Sequence, residues 1–207
     1  MPRTDDFLNA INLAREKLLF RDPDEICRNA AAELLLQNDK KRIVFPYFLR
    51  KVEVAYPGGI VACSEGENNL PLQEQGLILH YLLGACEMPL TGELITFREL
   101  PSGEFYYEPF LKRAQVPLIK TFGLNHELFR RAGEKLGGKE AALGDISMTF
   151  RPFPQIPVTL LLWRGDEEFP PDGNILFDAS IKNILHVEDI AFLAGTVVYK
   201  LMALSRN

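Results

Sequence analysis

Cysteine is scarce in this chain. Three occur in 207 residues, Cys27, Cys63 and Cys86, an odd number with no two close together. That excludes the disulfide framework of small secreted folds and fits a reducing compartment. No Cys-x-x-Cys pair and no His-Glu-x-x-His stretch occurs, so no metal site is encoded locally and the metal-ligand set is empty. Histidine is equally sparse. His80, His126 and His186 are each expected to be structural, with His126 exposed beside a helix cap. There is no glycine-rich phosphate loop and no Gly-x-Ser-x-Gly elbow, which removes the commonest nucleotide-binding and hydrolase signatures. The sequence names no cofactor.

Long apolar runs are missing too. No uninterrupted apolar stretch is long enough to span a bilayer, so a membrane is not an expected partner. The opening Met1-Pro2-Arg3-Thr4-Asp5-Asp6 carries no apolar leader, which makes the cytoplasm the expected location. Basic charge is not concentrated: 23 Lys and Arg stand against 28 Asp and Glu, for a net charge of −5. Binding to a phosphate polyanion depends on a dense basic surface, and the short clusters Lys40-Lys41-Arg42, Arg50-Lys51 and Arg130-Arg131 do not make one. Nucleic acid is therefore not an expected partner.

What is present is an ordinary globular composition, 47% apolar and 25% charged. The length suits one domain over residues 1–207, with residues 1–40 as a helical segment packed on it. In that segment Leu8, Ile11, Ala14 and Leu18 recur at helical spacing. Asp22-Pro23-Asp24-Glu25 then marks a second helix start: Asp22 caps, Pro23 takes the first position and Glu25 reaches back. Ile26, Ala30 and Leu34 form its expected buried stripe.

The period next falls to two, at Ile43, Phe45, Tyr47 and then Val52, Val54, Tyr56. Pro57-Gly58-Gly59 turns the chain and Ile60 and Ala62 return, which predicts an antiparallel meander. A polar loop, Glu65 to Asn69, precedes a helix opened by Pro71 with Leu72, Leu79, Leu83 and Cys86 on one side and Gly76 on the same face. Ile95-Thr96-Phe97 reads as a short strand, followed by a loop to Tyr107. Helices are predicted over Glu108–Phe122 and Asn125–Leu136, the latter stopped by Gly137-Gly138. Ile146, Met148 and Phe150 alternate, Val158–Trp163 is apolar on both faces, and Ile175–Asp178 follows an acidic loop. Ile190, Leu193, Ala194, Val197 and Leu201 make a last helix. Strands are grouped rather than alternating with helices, so the expected class is α+β: a mostly antiparallel sheet of about five to seven strands packed by helices, behind a two-helix N-terminal segment.

Two polar stretches stand out. Arg98 and Glu99 lead into Tyr106 and Tyr107, where aromatic walls with one guanidinium suit an anionic ligand. Asp166, Glu167 and Glu168 crowd a loop that ends at Asp172, and Asp178 closes the following strand. The expected ligand-binding residues are thus Arg98, Glu99, Tyr106, Tyr107, Asp166, Glu167, Glu168 and Asp178, with the pocket where the two stretches meet. Whether the chain is an enzyme stays open; in that reading Glu168 or Asp166 is the general base and Arg98 steadies an anion.

Three stretches together resemble a known family. Pro89-Leu90-Thr91-Gly92 running into Phe97-Arg98-Glu99-Leu100-Pro101, then Leu143-Gly144-Asp145, then Gly165-Asp166-Glu167-Glu168-Phe169-Pro170 with Leu176-Phe177-Asp178, are similar to the bacterial and archaeal domain-of-unknown-function family 3786. Some of its members look like fusions to a cysteine-rich iron–sulfur domain. The resemblance therefore implies anaerobic redox or methyl-transfer surroundings, although this chain has neither that cysteine cluster nor an Asp-x-His-x-x-Gly corrinoid ligand motif. The leading expectation is a small-molecule or cofactor-binding accessory protein in such metabolism. The alternatives are the carboxylate-based enzyme and an interaction module that docks a redox or methyl-transfer protein partner; a homodimer is also open.

Overall fold

The computed structural model describes residues 4–63 and 70–206. The polar loop expected over Glu65 to Asn69 lies outside the described residues. The protein is α+β, as the grouping of strands predicted, but the strands divide into two antiparallel sheets of four and five. Two compact units contain them: Met1–Pro89 with Asn183–Leu185, and Leu90–Lys182 with His186–Asn207.

The first unit opens with helix α1 (Thr4–Leu18), which buries Ile11, Ala14 and Leu18 and leaves Leu8 exposed. Helix α2 (Pro23–Ala30) starts as the sequence dictates: the Asp22 carboxylate accepts the N–H groups of Asp24 and Glu25, and Pro23 sits where no N–H is needed. The Glu25 side chain pairs with Arg21 at 3.4 Å instead of reaching back to the cap. The predicted stripe does not continue to Leu34, because Ala31 turns left-handed at φ 49° and ends the helix.

Leu34 belongs to strand β1 (Glu33–Gln37), paired with β2 (Lys40–Tyr47) through a two-residue turn. Both turn residues, Asn38 and Asp39, have positive φ, which Asn and Asp tolerate better than most side chains. Strands β3 (Arg50–Tyr56) and β4 (Ile60–Cys63) complete the predicted meander. Ile43 lies opposite Val54 and Phe45 opposite Val52, all on the buried face. In β4 the register places Val61 opposite Val54, so Val61 is buried while Ile60 and Ala62 are exposed. Helix α3 (Leu72–Gly84) packs against α1 and buries Leu77, Ile78, Leu79, Tyr81 and Leu82. The Tyr81 hydroxyl donates to the Ala30 carbonyl at 2.7 Å, satisfying its polar end inside the core.

In the second unit, strand β5 (Leu94–Thr96) leads into a 3₁₀ turn (Phe97–Glu99) and helix α4 (Gly103–Phe110). The stretch read as a loop is therefore largely helical. A π-helical segment (Leu111–Gln115) joins α4 to α5 (Val116–Phe122), so the helix predicted from Glu108 starts five residues earlier. Pro109 lies inside α4, where it cannot donate to the backbone ladder, and the wider π turn follows directly. The remaining elements are α6 (His126–Lys135), β6 (Lys139–Ala141), β7 (Ile146–Phe153), β8 (Ile156–Trp163), β9 (Asp172–Asp178), a 3₁₀ turn (Ala179–Asn183) and α7 (Val187–Leu204). The sheet order is β5-β9-β8-β7-β6, all antiparallel. Both faces of β8 are buried, in keeping with its apolar run, and α7 buries Ile190, Leu193, Ala194, Val197 and Leu201 as the spacing predicted. Phe97 and Phe110 stack at 4.1 Å between centroids; such a pair adds about 1 kcal/mol to its burial.

Candidate functional site

One end of the second unit's sheet gathers three polar residues from three segments. Gly144, at φ 56°, turns the chain so that the Asp145 N–H reaches the Leu162 carbonyl at 3.1 Å. The Asp145 carboxylate in turn accepts the backbone N–H of Arg164 at 2.7 Å. Arg164, just past the end of β8, points its Nε at Nδ1 of His126, 3.2 Å away. The cap formed by Asn125, whose side chain accepts the Leu128 N–H, positions His126 at the first turn of α6.

His126 is only 7% exposed, which corrects the expectation that it is a surface residue. Burial first, and then the Arg164 charge, push its pKa below the ordinary histidine value, against a smaller opposite pull from Asp145. A neutral ring that accepts at Nδ1 carries its proton on Nε2. That buried Nε2 has no hydrogen-bond partner among the described residues. The Arg164 side chain is exposed, and its two terminal nitrogens have no acidic partner among the described residues.

At the other end of β9, Asp178 is 3% exposed and fully engaged. It accepts from the Thr91 N–H, the Thr91 hydroxyl, the Gly92 N–H and the Ser180 N–H at 2.7–3.0 Å. Burial opposes its charge, but the hydrogen bonds from Ser180, Thr91 and Gly92 outweigh it and hold the carboxyl well below its usual range. Asp178 therefore clamps the Thr91–Gly92 turn from a buried position.

The other sequence-predicted residues also find partners close by. Arg98 pairs with Glu104 at 3.0 Å and lies over the Tyr107 ring at 4.4 Å. Glu99 accepts from the Thr96 N–H and hydroxyl, closing a capping box that lowers its pKa. Tyr106 donates to Glu188, which raises its phenol. Asp166 folds back on its own turn, accepting the N–H groups of Phe169 and Glu168; these lower its pKa and make it a weaker base than a free aspartate. Glu167 and Glu168 keep exposed carboxylates with no side-chain partner among the described residues. No hydrogen bond, ion pair or ring contact among the described residues joins the Arg98–Tyr107 stretch to the Asp166–Asp172 stretch.

In the first unit the half-buried Arg15 donates through Nε to the buried Gly59 carbonyl at 3.2 Å, and two further features stand out. Tyr47 is buried, and burial followed by the charge and hydrogen bond of Glu74 raises its phenol well above the ordinary value. A concavity of about 440 Å³ opens beside Ala31, Val44, Leu49, Arg50 and Lys51. The Cys27 thiol, pushed up to about 11 by burial and then by Asp24 and Asp22, is poorly nucleophilic. Among the described residues no cluster of His, Cys, Asp or Glu could hold a metal ion, and no helix is long and apolar enough to cross a membrane.

The family model described as a domain of unknown function, DUF3786, matches residues 22–200. The chain belongs to the DUF3786 family. No curated protein and no solved structure matches it. The stretches that carried the resemblance to DUF3786 fall at the two ends of one sheet. Thr91-Gly92 and Asp178 form the clamp, whereas Asp145, with Arg164 just before the Gly165–Pro170 stretch, forms the His126 corner. The sequence does not mark Arg164, and it presents His126 as a structural, exposed residue. The signal for His126 was its spacing: His126, Phe129 and Gly133 recur at i, i+3 and i+7, and all three are buried.

Proposed function

We propose that this chain is a small-molecule-binding accessory protein whose anion handle is Arg164, at the corner with Asp145 and His126. The observation that carries the reading is the hydrogen bond from Arg164 Nε to buried, neutral His126, which fixes the guanidinium without neutralising it. An exposed arginine held through Nε in this way suits bidentate capture of a carboxylate or phosphate group. Arg98, by contrast, already has Glu104 as its acid. The exposed Glu167 and Glu168 follow Arg164 in the same loop and would favour a ligand that also carries donor groups. The anaerobic redox or methyl-transfer setting enters from the family resemblance alone.

Calorimetric titration of the purified chain with a panel of small carboxylates and phosphates tests the reading. Binding by at least one member, weakened about tenfold or more in Arg164→Gln with an unchanged melting temperature, is the expected result. Equal binding by wild type and Arg164→Gln removes Arg164 from the role. Weakened binding in Arg98→Gln instead would return the site to the Arg98–Tyr107 stretch.

A further inference from the structure

The open edge of the first unit's sheet is unusual in composition. In the second unit the edge strands β5 and β6 are three residues each, and short edges limit unwanted pairing. Strand β1 has five residues, Glu33-Leu34-Leu35-Leu36-Gln37, with no proline, lysine or glycine among them. Leu35 is 42% and Leu36 71% exposed, on opposite faces of the sheet. An apolar edge without a blocking residue is a template for another strand.

The hairpin register shows which backbone groups are available. In a two-residue hairpin the residues flanking the turn form a hydrogen-bonded pair, and bonded and non-bonded pairs alternate from there. Gln37 opposite Lys40, Leu35 opposite Arg42 and Glu33 opposite Val44 therefore bond inward to β2. Leu34 and Leu36 turn their N–H and C=O groups outward, and these have no backbone partner among the described residues.

We propose that this edge joins two copies of the chain, β1 to β1, antiparallel about a two-fold axis through Leu35. The strand is nearly its own complement in that register. Leu34 of each copy pairs with Leu36 of the other through the outward groups, Leu35 meets Leu35, and Glu33 meets Gln37, so no like charges are opposed. It is also the register that pairs all five residues. It carries the turn residue Asp39 of one copy alongside Ala31 of the other, which lines the concavity together with Glu33, Arg50 and Lys51. Asp39, Arg50 and Lys51 are exposed and have no ion-pair partner of their own among the described residues. The axis thus brings Asp39 twice toward a lining with two basic residues and one acid.

The test uses the whole chain in sedimentation equilibrium, with Leu35→Lys and Leu35→Glu as variants. Because Leu35 is half-exposed, both variants should melt like wild type at dilutions where all three are monomeric. Wild type is expected to dimerise, and each variant alone to dimerise at least about tenfold more weakly, since like charges then meet on the axis. An equimolar mixture of the two variants should recover a heterodimer. Hydrogen exchange on unmutated protein should show the Leu34 and Leu36 amides gaining protection as concentration rises. A wild type that stays monomeric up to about 1 mM overturns the proposal and leaves the edge to a strand from another protein. A dimer indifferent to charge at position 35, or no recovery on mixing, overturns it equally.

Discussion

Arg164 holds His126 in one protonation state: its Nε–H donates to Nδ1 at 3.2 Å, a bond that only the neutral ring can accept. Protonating the ring would place a cation beside a cation in a buried corner, with Arg130 adding to the repulsion and Asp145 only partly offsetting it.

The consequence is a pH dependence of stability. The folded-state pKa of His126 lies below its unfolded value of about 6.5. Above pH 6.5 both states are neutral and the contribution is complete. As pH falls from there, the unfolded chain takes up a proton that the folded chain refuses, so stability drops. Urea unfolding from pH 7 down to about 5 should show this loss in wild type. His126→Asn, which keeps an acceptor for Arg164 but does not titrate, should flatten it. An identical slope in both proteins would refute the assignment.

Asp178 acts in the same direction, but at lower pH. Its carboxyl titrates below its unfolded value, so its stabilising effect is present above about pH 4 and is lost as pH falls further. Asp178→Asn preserves shape but turns an N–H₂ group toward donors on Thr91, Gly92 or Ser180. The expected cost is about 2–3 kcal/mol near neutral pH, read from denaturant midpoints, with a shallower acid limb than wild type. A loss confined to ligand binding, with stability intact, would show that the clamp is not what Asp178 does.

Much of the fold was legible because long, strongly periodic segments decide their own structure. The stripe from Ile190 to Leu201 and the alternation from Ile43 to Val54 needed no tertiary information. The spacing of Leu34 continues the α2 stripe, while the Asn38-Asp39 turn that makes it a strand residue lies downstream. Nor does periodicity show which strands share a sheet, so one sheet was expected where there are two. The candidate site was less legible. Residues such as Asp166 and Glu99 look like ligand-binding groups in a sequence, yet their partners are backbone N–H groups two or three residues away. Nothing in the sequence marks Arg164, because its partner, His126, is 38 residues distant.

Gly103 fixes the geometry behind the aromatic stretch. A Cβ there would lie 2.1 Å from the Phe97 carbonyl oxygen and 3.1 Å from that of Arg98, both backbone atoms that cannot swing aside. The close approach lets α4 start directly after the 3₁₀ turn and brings Phe110 onto Phe97. Gly103→Ala should therefore destabilise the protein by roughly 1–3 kcal/mol and reduce the near-ultraviolet circular dichroism of the stacked aromatics. Gly58 is the matched control, since a Cβ there meets nothing within 4 Å; Gly58→Ala should stay within about 0.5 kcal/mol of wild type. Equal melting temperatures for the two variants would mean that the Phe97–Gly103 contact does not constrain the fold.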